Sequence, residues 1–209
     1  MEADTPFTGE PADSREAIMR ATYSALEQYG YAGLSIQRIA DEADLSKSTF
    51  YHHYDDKDDL LTSFVDFILA EFTRIFSMES GDDPLAQLQT YVHLILDLES
   101  ADEVSDTTST ERVLGTYVEL RAQGVRDEEF REKYTEVDQA FEEQLAAIIE
   151  DGIEDGVFKD VDPEQTATFL LTLIAGHTFR HSTREDDFTD AVRAEVDEYI
   201  EYRLVRTGN

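Results

Sequence analysis

The densest run of side chains equipped for chemistry is Leu34 to Leu61, LSIQRIADEADLSKSTFYHHYDDKDDLL. Ser35 stands where its hydroxyl can cap a short helix whose inner face is Ile36, Ile39 and Ala40, with Leu34 placed to staple against Ile39. Asp44 and Leu45 make a turn, and Ser46 caps a second short helix with a single inward residue, Phe50. Lys47, Ser48, Thr49, Tyr51 and His52 are then left facing outward. Two short helices joined by a tight turn describe a helix-turn-helix, whose second helix enters the DNA major groove with its N-terminal residues against base edges. The same two amphipathic helices also occur as plain packing elements, and spacing alone leaves both readings open.

Elsewhere the sequence offers less. His177 and His181 are four apart on one helical face, a spacing metals use. They lack a third ligand at a defined offset, so no metal or other cofactor is expected and packing or capping is the alternative reading. The chain has no cysteine, which removes disulfides, thiol catalysis and Cys-based zinc sites. No nucleophile motif, phosphate-cradling glycine loop or HExxH is present, so an enzyme is the weakest of the functional readings.

The elements that must position these residues are helical. Apolar spacing is three and four almost throughout, with no alternating strand. About nine helices are expected, near Asp13–Tyr29, Ser35–Glu42, Ser46–His52, from Asp56 onward, Asp83–Leu98, Ser109–Gln123, Asp127–Asp151, Asp162–His181 and Phe188–Val205. Asp13 and Glu16 have capping-box spacing, and Asp83-Pro84 and Asp162-Pro163 read as N-cap plus first helical residue. The helix beginning near Asp56 is apolar around much of its girth and should be buried on more than one side. Gly30 and Gly33 punctuate the chain after the first helix, and a Ser/Thr/Asp loop is expected around Val104 to Thr108. The fold class is therefore all-α. An N-terminal tail (1–12) precedes a three-helix helix-turn-helix domain (13–55) and a larger helical domain (56–209), which the resemblance given below makes regulatory and dimerising.

The 209 residues hold 41% hydrophobic residues, enough for a sizeable core. The longest apolar stretch, Phe169 to Gly176, is too short to span a bilayer, and the first residues lack the regions of a signal peptide. A cytoplasmic protein with no membrane partner is expected. The outlier is charge: 48 acidic against 17 basic residues, a net of −31, with only four lysines. The first 60 residues carry 13 acidic and five basic side chains, so the acidity is spread and not confined to a tail. Such a composition resembles that of proteins from extreme halophiles. At low ionic strength it repels itself and loosens the fold. Taken alone, it argues against a nucleic-acid partner.

The pattern S-I-x-x-I-A-x-x-A-x-L-S-K-S-T-F-Y-x-x-Y-x-x-K-x-x-L-L nevertheless resembles the DNA-binding domain of the tetracycline-repressor (TetR) family, over about Asp13 to Leu69. The later part resembles that family's helical regulatory domain in general terms, most closely at Asp155 to Phe179. The resemblance implies DNA contacts at Ser35, Gln37, Ser46, Lys47, Ser48, Thr49, Tyr51, His52 and Lys57. The chemistry fits, since hydroxyls and amines serve phosphate oxygens and a carboxamide can bond adenine twice. Ser48 departs from the usual glycine or proline, His53 stands where an aromatic is usual, and Tyr54 stands where phenylalanine is commoner.

The resemblance further implies a ligand-responsive repressor acting as a homodimer on a palindromic double-stranded operator. Dimerisation falls to Phe169, Leu170, Leu173, Ile174, Val192, Val196, Tyr199 and Ile200, some of which a plain intramolecular core would also explain. Phe67, Phe72, Tyr91, His93, Arg112, Tyr117 and Phe141 are candidates to line a pocket for an unknown small-molecule effector, although aromatic stripes on helices are more often core. A dimeric helical sensor without DNA binding is the competing reading. It is favoured if Lys47, Tyr51 and Lys57 turn inward.

Overall fold

The computed structural model describes residues 10–79, 83–97, 115 and 117–206. The expected loop at Val104–Thr108 and residues 1–9 of the expected tail lie outside them. The described residues form nine α-helices: α1 (Ser14–Gly33), α2 (Ile36–Glu42), α3 (Lys47–His53), α4 (Lys57–Glu79), α5 (Pro84–Asp97), α6 (117–123), α7 (Glu128–Glu154), α8 (Pro163–His181) and α9 (Thr189–Tyr199). None is long and apolar enough to cross a membrane.

The helices start where side chains can satisfy the free amides of the first turn. Asp13 accepts from Glu16 N–H, Ser35 from Arg38 N–H, Ser46 from Thr49 N–H and Asp162 from Gln165 N–H. Asp83 accepts from Ala86 N–H at 3.0 Å, ahead of Pro84. The capping box at α1 is shifted by one residue, because the Glu16 carboxylate accepts from Ala12 N–H (2.8 Å) and not from the cap residue. That bond, with Arg20 beside it, holds the Glu16 carboxyl below its ordinary range.

Two compact units divide the chain: residues 1–75 with 102–135, and residues 76–101 with 136–209. In the first, α1 packs against α2 and α3. Its core is Ile18, Met19, Ala25, Leu26, Leu34, Ile39, Phe50, Leu60, Leu61, Phe64 and Val65, joined by Leu120, Phe130 and Tyr134. Leu60, Leu61, Thr62, Phe64 and Val65 are all buried, so α4 is covered around most of its first two turns. Helix α1 runs past its expected end at Tyr29 because the chain resumes helical geometry after a break at Gly30 (φ 64°, ψ 176°), a left-handed conformation that glycine adopts without penalty.

In the second unit α5 packs on α8 and α9, and α8 on α9. Its core includes Leu88, Tyr91, Val92, Leu145, Ile149, Leu170, Ile174, Val196 and Ile200. The last helix does not run evenly to Val205 as expected: Ile200–Leu204 forms one π-turn, closed by Val205 N–H to Ile200 O at 3.0 Å. That wider turn sets Val205 opposite Phe158 in an isolated antiparallel bridge, with Lys159 N–H on Leu204 O (2.7 Å) and Arg206 N–H on Val157 O (2.9 Å).

Phe158 is fully buried, and its ring lies against Gly152, where an added Cβ would sit 2.1 Å from Phe158 Cδ2. Alanine in a helix normally gains nearly 1 kcal/mol over glycine. Here the overlap with a ring that cannot retreat reverses the sign. Gly152→Ala is expected to lower unfolding free energy by about 1–3 kcal/mol, read from urea midpoints at fixed protein concentration in high salt.

Candidate nucleic-acid interface

Helix α2 ends with Asp44 at φ 52°, a left-handed residue that lets Leu45 N–H reach back to Ala40 O at 2.9 Å. Aspartate tolerates this conformation better than branched or bulky residues. The turn is closed within two residues and delivers Ser46 to the head of α3.

Helix α3 buries one of its seven residues, Phe50, which is 0% exposed. Lys47, Ser48, Tyr51 and His52 are exposed, Tyr51 by 54%. Ser46 Oγ accepts from Thr49 N–H (3.1 Å) and is bonded to Thr49 Oγ1 (2.9 Å), so the two hydroxyls organise the N-terminus together. His53 and Tyr54, the two departures at the end of this helix, tie the other end down. His53 Nε2 is hydrogen-bonded to Ser14 Oγ at 2.8 Å, and Arg15 Nε donates to the Tyr54 hydroxyl at 3.2 Å. Burial pushes the Tyr54 phenol up, against the opposing pull of Arg15, so it remains a neutral acceptor. Both ends of α3 are therefore fixed to the head's own framework.

Between Leu34 and Leu61 there are seven acidic side chains against three basic ones. The Arg38 guanidinium stacks on the Tyr29 ring, 4.5 Å from its centre, and also donates to Gly33 O. Lys57 Nζ sits 4.2 Å from the centre of the Tyr31 ring, while Lys47 is exposed on α3. Gln37 is exposed, with its amide donating to Asp41 Oδ1 at 2.6 Å, and that bond must open before the amide can read a base. Ser35 Oγ accepts from Arg38 N–H and keeps its own O–H to donate. Of the expected contacts, Gln37, Ser46, Lys47, Ser48, Tyr51 and His52 are exposed, and Ser35, Thr49 and Lys57 are half-buried. Half-buried Lys57 is seated on a ring and not enclosed.

The expected pocket residues are divided between the two units. Phe67 and Tyr117 belong to the first unit, where Tyr117 packs edge-to-face on Tyr134 (5.9 Å) and accepts from Arg121 (3.1 Å). Tyr91, His93 and Phe141 belong to the second. Tyr91 is fully buried and donates to Phe141 O at 3.1 Å, and His93 Nε2 is bonded to Asp197 Oδ1 at 2.8 Å. Arg112 and the Phe72 side chain lie outside the described residues.

The expected dimer set needs correcting. Leu170, Ile174, Val196 and Ile200 are buried within the chain and form its own core, so they have no surface to offer a partner. Leu173, Val192 and Tyr199 are half-buried, and Phe169 is 47% exposed with its ring 5.0 Å from Tyr199. Phe179, absent from the expected set, is 57% exposed. It continues the stripe Phe169, Leu173, Gly176 at helical spacing, a signal that was present in the sequence. His177 is buried edge-on against Phe188 (5.0 Å), with Nε2 3.4 Å from Thr189 Oγ1; His181 Nε2 lies 3.9 Å from Asp187 Oδ1. Among the described residues no three His, Cys, Asp or Glu side chains are arranged to hold a metal.

Two families match this chain. The one described as bacterial regulatory proteins, tetR family, matches residues 18–64, and the BetI-type transcriptional repressor C-terminal family matches residues 84–205. The crystal structure of a TetR transcription regulator from Haloarcula marismortui is 34% identical with a TM-score of 0.79, covering 93% of this chain and 100% of that one. The HTH-type transcriptional regulator BetI of Stenotrophomonas maltophilia is 33% identical over 90 residues, 42% of this chain and 46% of BetI. This chain therefore matches less than half the length of that relative. A putative transcriptional regulator from Saccharomonospora viridis, solved in complex with choline, shares the fold at 21% identity and a TM-score of 0.75, over 93% of this chain and 98% of that one.

The ties at the end of α3 have a measurable worth. His53→Ala removes a part-buried hydrogen bond to Ser14. It is expected to cost about 1 kcal/mol of unfolding free energy, read from urea midpoints in high salt.

Proposed function

The chain belongs to the TetR family of DNA-binding transcriptional regulators, and from that premise we propose that it reads a palindromic operator as a homodimer under the control of a small-molecule effector. In this reading Ser35, Ser46, Thr49, Tyr51 and Lys57 grip phosphates, while Gln37, Lys47, Ser48 and His52 face base edges. Residues 13–55 form the reading head and 56–209 the regulatory and dimerising part. The observation that carries the reading is the division of labour on α3: Phe50 is wholly buried while Lys47, Ser48, Tyr51 and His52 are exposed. The competing sensor without DNA binding is favoured where Lys47, Tyr51 and Lys57 turn inward, and none of the three is buried.

The dimer in this reading uses the outer face of α8 and α9: Phe169, Leu173, Val192, Tyr199 and Phe179. Two recognition helices would then stand about 34–36 Å apart, one turn of duplex. An effector acts only by preferring one arrangement of the head over another, and its identity is open.

Acidity shapes how the operator is held. Neutralising phosphates with lysine and arginine releases counterions, and affinity then falls with salt at a slope of about −0.9 per phosphate. With seven carboxylates set among three basic groups, short hydrogen bonds and groove packing must carry more of the binding. Operator affinity is expected to change little between about 0.2 and 2 M KCl where the fold is intact; a steep loss in a fluorescence-anisotropy titration contradicts this. In the same assay Tyr51→Phe should weaken binding by about tenfold, the worth of one hydrogen bond to a charged group, without moving the unfolding midpoint. Phe179→Glu places a charge on the proposed dimer face and should yield monomers in sedimentation equilibrium, with operator affinity lost together with the dimer.

A further inference from the structure

At Gly30 helix α1 breaks, and the amide that follows begins the turn beyond the break. That amide, Tyr31 N–H, donates to Glu119 Oε2 at 3.0 Å. Glu119 is 88 residues further along, on α6, within the stretch that matches the BetI-type C-terminal family. The same carboxylate oxygen lies 3.9 Å from where a Cβ on Gly30 would stand, so it sits directly on the break. Across the ring of Tyr31 rests the Lys57 ammonium, 4.2 Å from the ring centre.

We propose that Tyr31 is a positioning residue for operator binding: its ring seats the Lys57 ammonium at the head of α4, and Glu119 of α6 fixes that seat by holding Tyr31 at the break in α1. This rests on the reading of Lys57 as a phosphate contact. The first amides of α4 are already taken, since Asp56 Oδ1 accepts from Asp58 N–H (2.9 Å) and Asp59 N–H (3.0 Å). A phosphate arriving there meets the Lys57 side chain and not the Asp58 and Asp59 amides. Among the described residues no carboxylate pairs with Lys57, although Asp55, Asp56, Asp58 and Asp59 surround it in sequence. A ring face holds a cation without spending its N–H donors or cancelling its charge. A carboxylate would do both. The seat thus keeps the lysine placed and available, and any shift of α6 reaches it through two side chains.

The test uses the full-length chain and its operator, identified by genomic footprinting, with affinities measured by anisotropy in high KCl and unfolding midpoints recorded for every variant. Lys57→Ala is expected to weaken binding by about tenfold. Tyr31→Leu and Glu119→Ala should each weaken it by about two- to fivefold, the range of an exposed cation–π contact. Tyr31→Phe, which keeps the ring, should bind as wild type. In the Lys57→Ala background the Tyr31→Leu and Glu119→Ala losses should vanish, because a seat without an occupant positions nothing. Losses that persist in that background overturn the proposal, as does Tyr31→Leu binding at or above wild-type affinity. Should Tyr31→Leu fail to fold, the Glu119→Ala cycle decides by the same criterion. Lys57→Ala at wild-type affinity overturns the phosphate reading of Lys57 itself, whereas a weakened Lys57→Ala beside an unchanged Tyr31→Leu overturns the seat alone.

Discussion

The exposed face of α3, on which the proposed reading of DNA rests, depends on the burial of Phe50. A seven-residue helix cannot hold itself in water, because nucleation costs more than so few hydrogen bonds return. Helix α3 persists because Phe50 gives it one fully buried anchor, worth about 2–3 kcal/mol, and because each end is fastened separately. Ser46 supplies the first turn and Tyr54 and His53 the last. Those few residues do all the structural work. The rest of the helix surface is therefore free of packing duty, which is the condition for amines, hydroxyls and an imidazole to face outward together.

The same economy governs positive charge. In a chain of net −31 any cation has carboxylates within easy reach in sequence, and a salt bridge would cancel what little attraction the head can offer a phosphate. Two of the three cations near the interface lie instead on tyrosine rings, Arg38 on Tyr29 and Lys57 on Tyr31. Tyr29 and Tyr31 flank Gly30, so the break in α1 sets two aromatic faces at different angles within three residues. Acidic residues near the head serve locally instead: Asp56 caps α4, Asp41 holds Gln37 and Glu119 holds Tyr31. Carboxylates engaged with backbone amides and carboxamides have part of their charge answered within the protein.

Local chemistry explains why so much of this was readable from the residues. Caps at Asp13, Ser35, Ser46, Asp83 and Asp162 act over three positions, and each helix begins where its cap sits. The exposed side of α3 followed from a single inward residue, Phe50. What escaped is long-range. Tyr31 and Lys57 are distant in sequence, Glu119 more so, and nothing in the spacing of any of them announces the others. The π-turn at Ile200–Leu204 escaped because it answers to the bridge between Phe158 and Val205, not to its own residues. Helical periodicity also cannot say which of two apolar faces turns inward. Helix α8 has both: Leu170 and Ile174 face the core, and Phe169 and Phe179 face out.

That second apolar face is where the acidity relents. From Pro163 to His181 the only ionic side chains besides His177 and His181 are Glu164 and Arg180, while Thr189 to Leu204 carries Asp190, Glu195, Asp197, Glu198 and Glu201 against Arg193 and Arg203. In the proposed dimer two chains of the same large negative charge must approach, and the uncharged stripe of α8 is the surface that can meet its own copy without bringing like charges together. The repulsion that remains is long-ranged and falls away as salt shortens the Debye length to a few ångströms. Salt therefore acts on the two halves of the function with opposite sign. It removes the counterion-release term that favours DNA, and it removes the self-repulsion that opposes pairing. In the proposed reading the head relies little on the first term and the dimer gains from loss of the second, so the distribution of charge, and not its amount alone, is what would suit the chain to a concentrated ionic medium.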